Sequence, residues 1–233
     1  YERCATSMFV ICSPKSMFGL RTLPCASASG FVGSLTTMPA GSPSATRETR
    51  TPLPTASGPS IAACSTVRPW NAASDVREAL VTLKQNPEMK SLIFDLRGNG
   101  GGLLKEAVDI VNLFVENNQK VVSQRGKIKE MNAEYYASKP AVDPNIPLVV
   151  LIDHGSASAS EIVTGSLQEL DRAVVVGQRS FGKGLVQQTY NLSYNTLLKV
   201  TIAKYYTPSG RCIQALDYSH RSKDGAVAKV ADS

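Results

Sequence analysis

The stretch LVVLIDHGSASASEIVTGSLQEL, residues 148–170, decides the fold of this chain. It opens with five consecutive apolar residues, a run that predicts a strand buried on both faces of a sheet. A loop of small residues follows at 155–160, and a helix is predicted from there to about Leu170. A strand, a tight loop and a helix in this order are typical of an α/β layered domain.

The same alternation of strands and helices continues on both sides of this stretch. Further strands are predicted at residues 91–96, 121–123, 173–176, 185–190 and 197–205, and further helices from the N-cap Ser74 to Pro87 and from Leu103 to about Glu116. We therefore expect one α/β domain at residues 72–216, followed by a polar C-terminal tail at residues 217–233.

Residues 1–71 have a different composition. Ser, Thr and Pro fill 28 of the first 70 positions, whereas Leu, Ile, Val and Phe together fill 12 and Asp, Asn and Gln are absent. Such a segment has too few core-forming residues to fold as a domain. It is either a disordered Ser/Thr/Pro-rich linker or a wrong-frame translation, so we expect a non-globular or artefactual N-terminal segment.

The charge distribution and the cysteine content argue against nucleic-acid binding and metal binding. The net charge is +6, but the basic residues do not cluster on one face, so nucleic acid is not an expected partner. Only Cys212 lies outside the first 70 residues, and no Cys-x-x-Cys or His-Glu-x-x-His pattern occurs, so no metal site is expected. The chain starts at Tyr1 rather than Met, and we expect a fragment of a longer protein.

Two glycine-rich loops invite a nucleotide-binding interpretation. In the loop at residues 98–102, Leu103 stands where a dinucleotide-binding turn needs its third glycine, so a tight turn or a set of oxyanion donors is favoured. Residues 177–183 match Gly-x4-Gly-Lys, but Gly184 replaces the magnesium-binding Ser or Thr, and a strand rather than a helix is predicted next. A P-loop-like ATPase remains the alternative function.

Ser158 has two interpretations. With Glu161 three residues later it fits a capping box, and at a helix N-terminus its hydroxyl also suits a nucleophile. The two histidines, His154 and His220, are poor candidates for the base of a catalytic triad. A lysine held neutral by burial can act as the base instead, and Lys183 in its glycine-flanked loop is the candidate.

Four motifs, in order, resemble the carboxy-terminal processing peptidases, also called tail-specific proteases. They lie at residues 95–104, 155–162, 180–187 and 206–211. The resemblance implies a crotonase- or ClpP-like α/β core and a serine endopeptidase that forms an acyl-enzyme without a cofactor. It also implies protein or peptide substrates with extended C-terminal tails, an extracytoplasmic location such as the bacterial periplasm, and a PDZ-like domain, which residues 1–70 do not resemble.

The resemblance also implies a role for each site residue. Ser158 would be the nucleophile and Lys183 the general base, with Gln187 orienting the lysine. The remaining positions are the oxyanion-hole donors Gly102 and Ala159 and the supporting residues Arg97, Gly101 and Glu161.

The missing hydroxyl at Gly184 predicts that the loop at residues 177–184 does not bind nucleotide. Isothermal titration of the chain with Mg-ATP should give no saturable heat. Micromolar binding that disappears when Lys183 is changed would restore the ATPase alternative.

Overall fold

The computed structural model describes residues 8–12, 61–64, 70–221 and 227–229, all within one compact unit. The helices within this part of the chain are α1 (Ala72–Lys84), α2 (Leu104–Asn112) and α3 (Ala159–Glu169). The strands are β1 (Met8–Cys12), β2 (Ile61–Cys64), β3 (Ser91–Asp95), β4 (Lys120–Gly126), β5 (Ala133–Tyr136), β6 (Leu148–Ile152), β7 (Val174–Gly177), β8 (Leu185–Asn191), β9 (Leu197–Tyr206), β10 (Leu216–Arg221) and β11 (Val227–Lys229).

The main sheet is parallel and brings three loops to one edge. Its strand order is β2-β1-β3-β6-β7, with Leu92 opposite Leu148 and Val149 opposite Val174. The carboxyl ends of neighbouring parallel strands lie on the same side of a sheet, where α/β proteins build their sites. The loops that follow β3, β6 and β7 therefore meet there, and they contain the glycine loop, Ser158 and Lys183.

Within the described residues, one hydrophobic core holds the helices against this sheet. Phe94 of β3 and Leu80 of α1 are almost completely buried, as are Ile162 and Leu167 of α3. Helix α3 is buried along nearly its whole length, because small residues such as Gly165 let neighbouring segments approach its backbone closely. The helix that starts at the site is thus held rigidly by the core.

A second, antiparallel sheet has the order β5-β4-β9-β8. Strands β8 and β9 form a hairpin whose register shifts between Val186 and Gln187. Strand β8 begins two residues after Lys183, so the predicted strand, and not the helix that a P-loop needs, follows this lysine.

The mixed α/β fold is confirmed, and the crotonase- or ClpP-like likeness stays a prediction. Helix α1 begins at Ala72 rather than after Ser74, and α2 ends at Asn112, before Glu116. None of the described helices has both the length and the apolar character needed to cross a bilayer.

Strands in both terminal segments correct the sequence prediction. Strand β1 pairs with β3, and β2 pairs with β1, although no strand was expected before residue 72. Strands β10 and β11 pair where a polar tail was expected. Pairing with a distant strand leaves no local period in the sequence. The rest of the predicted linker lies outside the described residues.

Acid should destabilise this fold through Glu169. Burial raises the pKa of this carboxyl group, but hydrogen bonds from Ser209, Thr207 and Arg211 lower it more, so the net pKa lies below the usual value. Such a group stabilises the protein above its unfolded pKa of about 4.3, and this contribution is lost as pH falls through the lower folded pKa. Urea denaturation should therefore show a falling free energy of unfolding below about pH 5.

The variant Glu169→Gln should make this loss less steep, and the exposed Glu88→Gln should not. An unchanged pH slope in Glu169→Gln would contradict the assignment.

Candidate active site

Ser158 lies at the junction between the β6 loop and α3 in an unusual backbone conformation. Its φ is 57° and its ψ is −114°, a region that non-glycine residues rarely adopt. Its N–H donates to Oε2 of Glu161 at 2.8 Å, which is the reciprocal bond of the predicted capping box. Backbone strain of this kind persists only where the surroundings impose it, and it is concentrated at functional sites.

The glycine loop packs directly against this serine. The N–H of Ala157 donates to the carbonyl of Asn99 at 2.9 Å, and Gly98 and Gly101 have φ values of 67° and 94°. A Cβ atom on Gly101 would lie 2.9 Å from Cβ of Ser158 and 2.8 Å from the nitrogen of Ala159. Only glycine fits there, directly beside Ser158.

Two backbone donors next to Ser158 remain available. Among the residues that the structure describes, the N–H groups of Gly102 and Ala159 donate no hydrogen bond. Ala159 is the first residue of α3, where N–H groups have no partner within the helix and the helix dipole is positive. Both donors could bind an oxyanion, the role that the resemblance assigns to them.

Glu161 joins the turn that carries Ser158 to the loop that carries Lys183. Its carboxylate is 7% exposed and accepts four hydrogen bonds. Oε1 accepts from Ser180 Oγ at 2.7 Å and from the N–H of Gly182 at 2.6 Å. Oε2 accepts from the N–H groups of Ser158 and Lys183, each at 2.8 Å. The backbone nitrogens of Ser158 and Lys183 thus lie within two hydrogen-bond lengths of each other.

The side chain of Lys183 is exposed, contrary to the prediction that burial holds it neutral. Within the described part of the chain its amino group has no hydrogen bond to Ser158 or Gln187. Lys183 and Gln187 do line one cleft of about 520 Å³, together with Phe181. The amide of Gln187 instead lies 3.5 Å from Oγ1 of Thr201. The lysine is exposed because this cleft is open to solvent.

Arg97 binds Asp95 at the start of the glycine loop. Its Nε and Nη2 donate to the two carboxylate oxygens of Asp95 at 3.0 and 2.7 Å. Burial raises the pKa of Asp95, but the bonds from Arg97 outweigh it, so the pKa of this carboxyl group is lowered. His154 is exposed, and its Nδ1 lies 3.3 Å from Oε1 of Gln178.

Sequence reasoning missed two residues that hold these loops. Oδ1 of Asp153 accepts from the N–H groups of Gly98 and Gly155, and the buried Gln214 accepts from the N–H of Gly184 at 2.9 Å. Asp153 directly follows a predicted buried strand, a position where α/β proteins often place polar site residues. No comparable local pattern marks Gln214.

These features are typical of a serine hydrolase site. Ser158 lies strained at a helix start with two available donors beside it, and the carboxylate of Glu161 binds both this serine and the loop that carries Lys183. The model of peptidase family S41 matches residues 59–218, and the chain belongs to this family of hydrolases. The family predicted from the motifs is thereby confirmed.

The chain is 41% identical over 145 residues to the carboxy-terminal-processing protease of Bartonella bacilliformis, covering 62% of this chain and 32% of that protein. It is 34% identical over 150 residues to the chloroplastic C-terminal processing peptidase of Tetradesmus obliquus, covering 64% and 32%. The solved photosystem II D1 C-terminal processing protease aligns with a TM-score of 0.57 and 34% identity, over 62% of this chain and 36% of that one. The chain thus spans about a third of the length of these relatives.

The four bonds to Glu161 predict that Glu161→Gln disrupts the site. Glutamine keeps one acceptor oxygen and places an NH₂ group against backbone donors, so two donors lose their partner. Each buried donor left unsatisfied costs about 1–3 kcal/mol, which should appear as a lower free energy of unfolding in urea. The exposed Glu116→Gln is the matched control and should unfold like the unaltered chain. Equal stability of the two variants would be incompatible with this role of Glu161.

Proposed function

We propose that this chain carries the catalytic core of a serine endopeptidase in which Ser158 is the nucleophile and Lys183 the general base. The observation that supports this most directly is the shared carboxylate oxygen of Glu161, which binds the N–H groups of both residues. The positive φ of Ser158 and the available donors beside it point in the same direction.

The proposed reaction is acyl transfer. The neutral amine of Lys183 removes the proton from Ser158 Oγ, which attacks a peptide carbonyl and forms a tetrahedral intermediate. The N–H groups of Gly102 and Ala159 bind the oxyanion, and each such donor typically contributes about 3–4 kcal/mol. Lys183 then donates its proton to the leaving amine, and water hydrolyses the acyl-enzyme with the same lysine as base.

Substrate binding would give Lys183 the enclosed environment that a lysine base needs. In its open cleft the amino group of Lys183 is accessible to water. A peptide that covers the cleft would remove this water, and desolvation favours the neutral amine. Gln187 lines the same cleft and is the proposed orienting residue once the lysine is enclosed.

The proposed substrate is an extended protein segment. An extended segment could pair with nearby strand edges and present its peptide carbonyl to Ser158. The preference for C-terminal tails and the extracytoplasmic location remain parts of this proposal, supported by the relatives' names and by the family resemblance respectively.

The substitution Lys183→Arg distinguishes a lysine base from every alternative base. Arginine resembles lysine in length and charge but is not deprotonated in proteins. Hydrolysis of fluorescently labelled casein should therefore fall by about 10³-fold or more in both Ser158→Ala and Lys183→Arg, because members of a catalytic unit act together.

His154→Ala and His220→Ala serve as controls and should keep most of the activity. Near-normal hydrolysis by Lys183→Arg would rule out the dyad, as would loss of hydrolysis in a folded histidine variant.

A further inference from the structure

One carboxylate outside the residues already assigned connects the two loops that carry the oxyanion donors. Asp153 follows β6 and lies five residues before Ser158. Its Oδ1 accepts from the N–H of Gly98 at 2.7 Å and from the N–H of Gly155 at 2.9 Å. Gly98 begins the glycine loop and Gly155 begins the nucleophile loop, so a single oxygen atom holds the start of both.

A serine reinforces this joint, the connection between the glycine loop and the nucleophile loop. Ser156 is completely buried, and its Oγ donates to the carbonyl of Leu96 at 2.8 Å and accepts from the N–H of Asp153 at 3.0 Å. The loops are also packed tightly, because a Cβ atom on Gly155 would lie 2.9 Å from Cα of Gly98. The joint therefore leaves the two loops little freedom to move apart.

The geometry of the oxyanion hole depends on this joint. Gly102 lies four residues after Gly98, and Ala159 lies four residues after Gly155, so the two donors belong to different loops. Between them, Gly101 packs on Ser158. An oxyanion needs both donors within hydrogen-bond distance of one point, and a displacement of about 1 Å can lower a rate by about 10²-fold.

We propose that Asp153 is a positioning residue that sets the distance between the two oxyanion donors by holding the glycine loop and the nucleophile loop on one carboxylate oxygen. This inference rests on the proposed function. It adds that Asp153 contributes through the placement of its acceptor oxygen rather than through its charge, and that it does not touch the substrate.

Three substitutions at Asp153 distinguish the effect of the position of its acceptor oxygen from the effect of its charge. Asp153→Asn keeps the acceptor oxygen and loses the charge, so its kcat should stay within about threefold of the unaltered chain. Asp153→Glu keeps the charge but moves the acceptor by one methylene, and Asp153→Ala removes it. Both should lower kcat on labelled casein by about 10- to 100-fold with little change in KM, because the donors act in the transition state.

A transition-state analogue tests whether the oxyanion hole is the part affected. A peptide boronic acid forms a tetrahedral adduct with the serine, and its Ki should rise in Asp153→Glu by the same factor by which kcat/KM falls. The neighbouring His154→Ala is the matched control for both measurements and should change neither.

Hydrogen–deuterium exchange provides a readout that does not require activity. The amides of residues 97–103 should exchange faster in Asp153→Glu and Asp153→Ala than in the unaltered chain, and at unaltered rates in Asp153→Asn and His154→Ala. The inference is overturned if Asp153→Glu matches the unaltered chain in exchange and in Ki, or if Asp153→Asn is as impaired as Asp153→Ala. Activity that survives in Ser158→Ala would instead refute the proposed function, and the exchange rates would still decide whether Asp153 joins the loops.

Discussion

The carboxylate of Glu161 is the interaction on which the site depends. A buried carboxylate is costly unless donors satisfy it, and here four donors from two separate segments do so. One segment is the turn that contains Ser158, and the other is the loop that carries Lys183. The two cannot separate without exposing an unsatisfied charge, so the buried group holds together residues that lie 25 positions apart in the sequence.

A second set of contacts fixes the lysine loop from its other side. Glu169, near the end of α3, accepts from Nε of Arg211 and from the N–H of Ser209, which holds the late motif against the nucleophile helix. The chain then continues to Gln214, which binds the N–H of Gly184, and to Ala215, which donates to the carbonyl of Gly182. The late motif thus contributes by directing residues 212–215 onto both neighbours of Lys183.

Sequence alone could predict the features of this site that depend on nearby residues. Ser158 at a helix start, Glu161 in the capping position and the strand after Lys183 all follow from short-range patterns. The pairings of Asp153 with Gly98 and of Gln214 with Gly184 could not be predicted, because these partners lie 55 and 30 residues apart and such pairings leave no period. Strands β1 and β2 escaped prediction for the same reason. The openness of the lysine cleft depends on which segments cover it.

The occupancy of backbone donors explains why the two glycine-rich loops differ in chemistry. In the P-loop-like segment, the N–H groups of residues 181–184 all donate to protein acceptors, two of them to the carboxylate of Glu161. A phosphate at residues 181–184 would find these donors occupied and would meet the carboxylate of Glu161. In the other loop, within the described residues, the N–H of Gly102 donates no hydrogen bond, and its neighbour Gly101 packs against the nitrogen of Ala159 at the positive end of α3. Since an oxyanion needs unoccupied donors, the glycine loop suits acyl transfer, and the segment that resembles a phosphate cradle suits the role of holding Lys183, the proposed base.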